Sequence, residues 1–446
     1  MKKGASKAAA ILLAVLLVAS FAGCASQPAA TTAPKTTTAP AVTTASAATE
    51  APKDTPAPKE PVTIQFWHNY DAGAGQIDVL NELIKQFEAA NTDVKVNQVY
   101  LEWQALKNDV VAGATTGMLP DVLRGDIGFV PQFQSLNVLY EMGSLPDYAD
   151  IAAKVLEAPN SSAKMGDKYF GIAANTNTKI LFYNKKMFEQ AGLTAPKTQE
   201  EMWAHAVKLS GDKTIGFVEA WTGVWNVGQY IWSNGGDVLA PDYSTAKGYI
   251  NSPAAVAAIQ KLADLYQQKA LTGPTLDPGA AGDTDGWAAG TYAMEIDGPW
   301  RAAALDSAKI EYGTMPMPAG STGSVGVLGG EDFMMFKTSD DAHRDAAWRF
   351  IKFMTGKDAQ AAMAKVGQMP VNKEAIADPE VLKAMPLLPV FAEALKTAKA
   401  RPVTPKWGDM ENIIATKVAE AITGTKPVQT AMDEAADEID KLIAQK

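Results

Sequence analysis

Apolar and polar residues alternate from Val62 through Ile64 to Phe66, with Thr63 and Gln65 between them, and this period of two predicts a strand with one buried face. The period then lengthens. Ile77, Leu80, Ile84 and Phe87 recur at helical spacing, and Val94, Val96 and Val99 predict a second strand after that helix. Strand, helix, strand in this order is a βαβ unit, which places both strands in parallel in one sheet. Further on, Pro196-Lys197-Thr198-Gln199-Glu200-Glu201 predicts a helix opening on a capping box, with Thr198 as N-cap and Glu201 closing it. Ser252-Pro253 starts another helix, whose expected buried stripe is Val256, Ile259, Ala263 and Tyr266. Two more helices are expected near Asp345 to Thr355 and over Val428 to Ala444. Strands and helices alternate without a short repeat, so the class is α/β.

The first residues follow a different rule. Lys2, Lys3 and Lys7 precede an apolar run of about fifteen residues, Ala8 to Ala22, and Phe21-Ala22-Gly23-Cys24 closes it. That is the three-part pattern of an export signal, and the run is shorter than the roughly 20 apolar residues needed to span a bilayer. It resembles a bacterial lipoprotein signal over residues 1–23, with Cys24 as the lipid-bearing first residue of the mature chain, which implies attachment to a membrane on its extracytoplasmic face. Residues 24–60 continue almost wholly as Ala, Thr, Pro, Ser and Lys, with no aromatic residue and no large aliphatic one except Val42, too little apolar surface to fold. A flexible coil of that length reaches roughly 30 to 36 Å. It reads as a leash for a folded part long enough to hold two domains.

Composition narrows the function classes. A content of 47% hydrophobic and 20% charged residues is that of a globular protein. The formal charge of −10, with scattered basic residues, argues against a nucleic-acid partner, because phosphate binding needs basic clusters. Cys24 is the one cysteine, so disulfide and thiol chemistry are excluded from the folded part. His68, His205 and His343 are far apart in sequence and give no zinc set. Asp283-Thr284-Asp285-Gly286 shares part of a calcium-loop pattern, but Ala281 stands where an acidic ligand belongs, so a plain turn is expected there. No metal or other cofactor is expected. Neither a phosphate-cradling loop, nor Gly-x-Ser-x-Gly, nor His-Glu-x-x-His occurs, and the chain is not read as an enzyme.

The residues just beyond the expected strands carry the candidate chemistry, since open α/β sheets bind ligands at the carboxyl ends of their strands. Trp67 and Asn69 follow the first strand, Asp126 follows Val122-Leu123, and Glu219 and Trp221 follow Ile215 to Val218. Trp300 follows Tyr292 to Ile296, and Glu331 follows Val325 to Leu328, where Gly329 and Gly330 let backbone approach a ligand. Flat rings beside carboxylates suit a sugar, which presents apolar C–H faces and hydroxyl edges. Trp203 and Trp348 fall on helices and read as core, and Trp232 reads as packing. For Asp126 and Glu219 the plainer alternative is a turn or cap carboxylate.

Several segments resemble the extracellular solute-binding proteins of sugar ABC importers, the maltose-binding-protein-like family. They are Phe66-Trp67-His68, Gly117-Met118-Leu119-Pro120-Asp121-Val122, Tyr169-Phe170-Gly171-Ile172, Phe182-Tyr183-Asn184-Lys185, Phe188 to Leu193, Trp287 to Met294 with Gly298-Pro299-Trp300, Met315-Pro316-Met317-Pro318, and Gly329-Gly330. They occur in family order across nearly the whole mature chain. The resemblance implies a two-lobed periplasmic-binding-protein-like fold, each lobe a largely parallel sheet flanked by helices, joined by crossover hinge strands. It places the first lobe at 62–173 plus 330–373 and the second at 174–329 plus 374–446. It also adds Trp407, before a late helix, to the candidate site. The implied function is capture of an oligosaccharide between the lobes and delivery to a membrane permease, by a monomer. Alternatives are the same fold serving a polyamine, a polyol phosphate or a peptide, or a receptor reporting to a sensor. Anionic ligands call for arginines, and among the candidate loops only Arg124 and Arg301 are near.

Overall fold

Alternation in β1 (Val62–His68) turns Ile64, Phe66 and His68 inward, and β2 (Val94–Tyr100) pairs with it in parallel from Val62 opposite Val94 to His68 opposite Tyr100. The helix Gln76–Ala90 between them buries Leu80, Leu83, Ile84 and Phe87, completing the βαβ unit that the periodicity predicts. The computed structural model describes residues 60–71, 75–277, 280 and 283–445. The signal segment, Cys24 and nearly all of the leash lie outside the described residues.

The remaining strands are β3 (Val122–Asp126), β4 (Lys164–Met165), β5 (Lys168–Tyr169), β6 (Gly171–Asn177), β7 (Ile180–Asn184), β8 (Phe217–Val218), β9 (Leu271–Thr272), β10 (Met294–Asp297), β11 (Tyr312–Met315), β12 (Val327–Met335) and β13 (Lys399–Ala400). One sheet runs β13-β12-β3-β1-β2 with β6 also paired to β12, and a second runs β11-β7-β10-β8-β9. The strands β4 and β5 form a small hairpin of their own. Both large sheets are mixed. β12 is antiparallel to β3 and β6, and β7 is antiparallel to β10 and β11, while β1, β2 and β3 are parallel and so are β8, β9 and β10. The antiparallel strands are those next to the crossings. Only Thr178 and Lys179 separate β6 in the first sheet from β7 in the second, and β12 returns the chain to the first.

Each sheet has its own core. Phe66, Phe87, Phe333 and Phe350 pack together, with the Phe350 ring edge-on to Phe66 at 5.1 Å and to Phe87 at 5.2 Å. Trp203, Phe217, Tyr230 and Ile259 form the other, joined by Trp407 and Ile414 from the helix Trp407–Ile422. Trp203, Trp348 and Trp232 are buried, in keeping with the sequence. Thr198 accepts from the Glu201 amide at 3.2 Å as expected, but Glu201 Oε2 reaches back to the amide of Lys197, one residue before the N-cap, at 2.6 Å. The helix Pro253–Gln267 is capped by Ser252, yet its buried side is Ala255, Ala258, Ile259, Leu262, Ala263 and Leu265. Ile259 and Ala263 of the expected stripe are buried, while Val256 and Tyr266 pack partly buried at its edges, Tyr266 donating its hydroxyl to Asp277 at 2.6 Å. Asp283 to Gly286 opens the helix Asp283–Ala288 and is not the plain turn expected.

At a register shift in β12, Asp332 is fully buried without a cation. Ser162 Oγ lies 3.1 Å from each carboxyl oxygen and 2.6 Å from the Pro159 carbonyl, so a hydroxyl proton given to Pro159 leaves Asp332 as the donor of the other bond. Burial pushes this carboxyl well above its ordinary range, and the charges of Asp126 and Glu331 add to the effect. A folded-state value above the unfolded one gives stability that is complete below about pH 4 and is lost as pH rises through the folded value, by at most about 1.4 kcal/mol per pH unit. Asp332→Asn is therefore expected to flatten the fall of stability with rising pH, as read by urea unfolding at a series of pH values. Parallel curves for wild type and variant would show that Asp332 is not the group responsible.

Candidate functional site

The strand ends of the six-stranded sheet converge on one arginine. Arg124, on β3, is 2% exposed, and its guanidinium lies 4.1 Å over the Tyr70 ring. Its Nη1 donates to Asn69 Oδ1 at 2.6 Å, and its Nη2 donates to Asn175 Oδ1 at 2.9 Å and Gln368 Oε1 at 2.7 Å. The same Nη2 is 2.9 Å from Glu331 Oε2. His68, between Phe66 and Tyr70, is pushed down to about 4 by burial, with Arg124's charge adding to the effect, so the ring is neutral at pH 7. Its Nδ1 accepts from the Tyr70 amide at 3.1 Å, and its Nε2 meets Gln98 Oε1 at 2.5 Å.

Register sets the next row. Glu331 of β12 lies directly opposite Asp126 of β3 on one side and Asn175 of β6 on the other. Like charges facing across a ladder repel, and each carboxylate has its own arginine. Arg401 Nη2 is 2.8 Å from both oxygens of Asp126, whose Oδ1 also accepts from the Gly128 amide at 2.7 Å. Gly330 has φ +138°, and a Cβ there would come within 2.5 Å of the Asn175 carbonyl, so only glycine lets β12 and β6 approach here. A Cβ on Gly329 would run into the Trp225 ring.

Trp225 links this row to the second sheet. Its ring lies 6.4 Å from that of Trp300, 5.6 Å from the Arg401 guanidinium and 5.7 Å from Lys179 Nζ. Trp300 is 39% exposed and donates from Nε1 to Asp297 Oδ2 at 3.0 Å. Arg301 beside it is buried, bonded to Asp297 at 3.1 Å and Glu295 at 3.0 Å, and so does not offer the cleft a free cation.

The candidate residues fall into three groups. Asn69, Asp126, Gly330, Glu331 and Trp300 come together around Arg124, Arg401 and Trp225. Trp67 is half-buried and leans on the apolar cluster of Leu123 and Phe129 behind that row. Glu219, Trp221 and Trp407 are placed otherwise. Glu219 is 1% exposed, and its carboxylate is taken by Tyr230 Oη at 2.7 Å, Asn226 Nδ2 and Lys179 Nζ at 3.8 Å, with burial raising its pKa. Trp407 is 3% exposed, near Gly128, and Trp221 stands 64% exposed on the loop beyond β8. A surface hollow of about 480 Å³ beside that loop is lined by Thr222, Thr275, Thr416 and Glu420, away from the arginine-paired carboxylates. Sequence reasoning missed Trp225, Arg401, Lys179 and Asn175. Trp225 occupies the first turn of the helix Val224–Ser233, just after the Trp221 loop, and its place after β8 was the available signal.

A family model described as bacterial extracellular solute-binding protein matches residues 82–390. The chain belongs to that family. Among curated relatives of this solute-binding protein, one from Brucella abortus, named only as a binding protein, is 27% identical over 381 residues, 81% of this chain and 89% of that one. A maltooligosaccharide ABC transporter solute-binding lipoprotein of Streptococcus pneumoniae is 24% identical over 352 residues, 74% of this chain and 78% of its own. The maltose-bound structure of T. maritima MalE3 superposes with a TM-score of 0.75 at 25% identity, covering 85% of this chain and all of that one. The solute-binding protein thus has the two-lobed α/β fold.

Proposed function

We propose that this solute-binding protein is the lipid-anchored, extracytoplasmic receptor of an ABC importer, which captures an oligosaccharide between two lobes and passes it to the membrane permease. The observation that carries the reading is the Trp225–Trp300 pair beside the Asp126–Arg401 and Glu331–Arg124 pairs: aromatic faces next to fixed polar edges are what a sugar requires. The sugar ligands and the transporter role in the names of its relatives support it. We assign residues 62–173 and 330–373 to the first lobe and 174–329 and 374–446 to the second, in line with the separate sheets and the crossings at β6 and β12. Cys24 is the anchor point, with the leash giving reach to a monomeric carrier. The carrier works without catalysis. A glycosidase needs two carboxyl groups flanking the scissile bond, whereas Asp126 and Glu331 are paired with Arg401 and Arg124 and Glu219 is buried beneath Tyr230 and Asn226.

The test is a thermal-shift and tryptophan-fluorescence screen against mono- and oligosaccharides, with polyamines, amino acids and polyol phosphates for contrast. One oligosaccharide series is expected to stabilise the protein, by about 2.7 kcal/mol at a hundred times its dissociation constant. A response confined to a charged solute would retain the fold and discard the sugar.

A further inference from the structure

Arg124 has only N–H donors, and this fixes the amides around it. Asn69, Asn175 and Gln368 each give their side-chain oxygen to the guanidinium, at 2.6, 2.9 and 2.7 Å, so each turns its NH2 group away from it. None of the three NH2 groups has a hydrogen-bond partner among the described residues. Asn175 is only 6% exposed, and its NH2 group is part of what meets solvent, so a ligand can reach it. The acceptors left here are the Glu331 carboxylate, whose Oε2 lies 2.9 Å from Arg124 without a hydrogen bond, and Asn177 Oδ1 two residues beyond Asn175, which has no hydrogen-bond partner among the described residues.

Three NH2 groups beside one carboxylate match an amide substituent on a sugar. A hydroxyl brings a donor along with its acceptor lone pairs, whereas a carbonyl brings lone pairs alone. An added carboxylate would face Glu331, whose charge already neutralises Arg124. An acetamido group offers a neutral carbonyl to the NH2 groups and a single N–H to Glu331. We propose that Arg124 is a positioning residue that makes this end of the cleft a donor surface specific for an acetamido group on the sugar. The proposal rests on the oligosaccharide reading above.

The test is calorimetry of the full chain with N,N′-diacetylchitobiose and with cellobiose, which carries hydroxyls in place of the acetamido groups, and with maltotriose as a third arm. The acetylated disaccharide is expected to bind at least tenfold more tightly than cellobiose. Asn175→Asp keeps the oxygen that Arg124 holds and replaces the NH2 with a second acceptor. It is expected to bring that ratio to about one, and since the new carboxylate faces Glu331 across the ladder the thermal midpoint falls somewhat; the ratio between two ligands on one variant is what a purely structural role for the amide would not change. Asn69→Asp, at a half-exposed position, makes the same exchange should the first variant fail to fold. Equal or tighter binding of cellobiose or maltotriose overturns the acetamido assignment and leaves the sugar reading standing. No binding in any arm overturns the assignment too, and the sugar reading falls only if the wider screen is also silent. A preference that survives both substitutions overturns the positioning role of Arg124.

Discussion

Alanine in place of Trp300 is expected to weaken oligosaccharide binding about a hundredfold, close to 2.7 kcal/mol, while the fold loses roughly 1 kcal/mol or less. The two effects separate because the ring, packed over Gly298, is held by a single hydrogen bond. Its Nε1 bond to Asp297 is replaceable, since Arg301 also holds that carboxylate, and 39% of the residue is open to solvent. Its open face supplies the apolar area a sugar ring covers, and truncated tryptophans at well-packed contacts commonly cost 2 kcal/mol or more. Trp225 is the poorer target, because it packs on Gly329 and lies beside Arg401 and Lys179, so that its loss disturbs the site whatever binds there. Calorimetry with the saccharide that gives the largest shift in the screen, together with urea unfolding, measures both quantities. Unchanged affinity would move the site away from Trp300, and a large fall in stability would make the ring a structural one.

How far the sequence reached follows from which physical signals are local. β1, the helix Gln76–Ala90 and β2 were legible because each carries its own period, and the helix Val428–Ala444 because its apolar stripe is continuous. The helix Pro253–Gln267 was found from its cap, but its buried side only in part, since alanines at 255 and 258 carry little hydropathy of their own and only the neighbouring elements decide that they face inward. The site divides in the same way. Asn69 and Asp126 were legible because strand ends are where ligands bind; Glu331 was expected beyond a strand ending at Leu328, but lies inside β12, paired on both sides. Their partners were not, because Arg401 is 275 residues from Asp126 and Gln368 is 244 from Arg124, and nothing near those positions marks them. Glu219 shows the opposite failure. A carboxylate after a strand looks available in sequence, yet the helix Val224–Ser233 brings Asn226 and Tyr230 back over it.

Arg401→Met is expected to destabilise the protein by about 2 to 3 kcal/mol at neutral pH, somewhat less than breaking a fully buried pair costs, since the side chains of Asp126 and Glu411 keep 17% and 20% of their surface in solvent. Arg401 is almost wholly buried, 2.8 Å from both oxygens of Asp126 and 3.9 Å from Glu411 Oε2. Methionine matches much of its length but none of its charge. Asp126 would then face Glu331 directly across the ladder, with Arg124 still paired to Glu331 alone. Glu411 is already raised by burial and held down by Arg401, so it rises further in the variant. A raised folded-state value costs stability as pH increases through it, which makes the deficit of the variant largest at neutral and alkaline pH and smaller on acidification. Adding Asp126→Asn removes one of the stranded charges and is expected to recover a part of the loss, which a double-mutant cycle would express as the coupling between the two residues. Urea unfolding between pH 5 and 8 checks both statements. A loss within about 0.5 kcal/mol of zero, the ordinary range for surface substitutions, would mean that water compensates Asp126 and Glu411 as well as the guanidinium does, and Arg401 would then be free to leave Asp126 for a ligand.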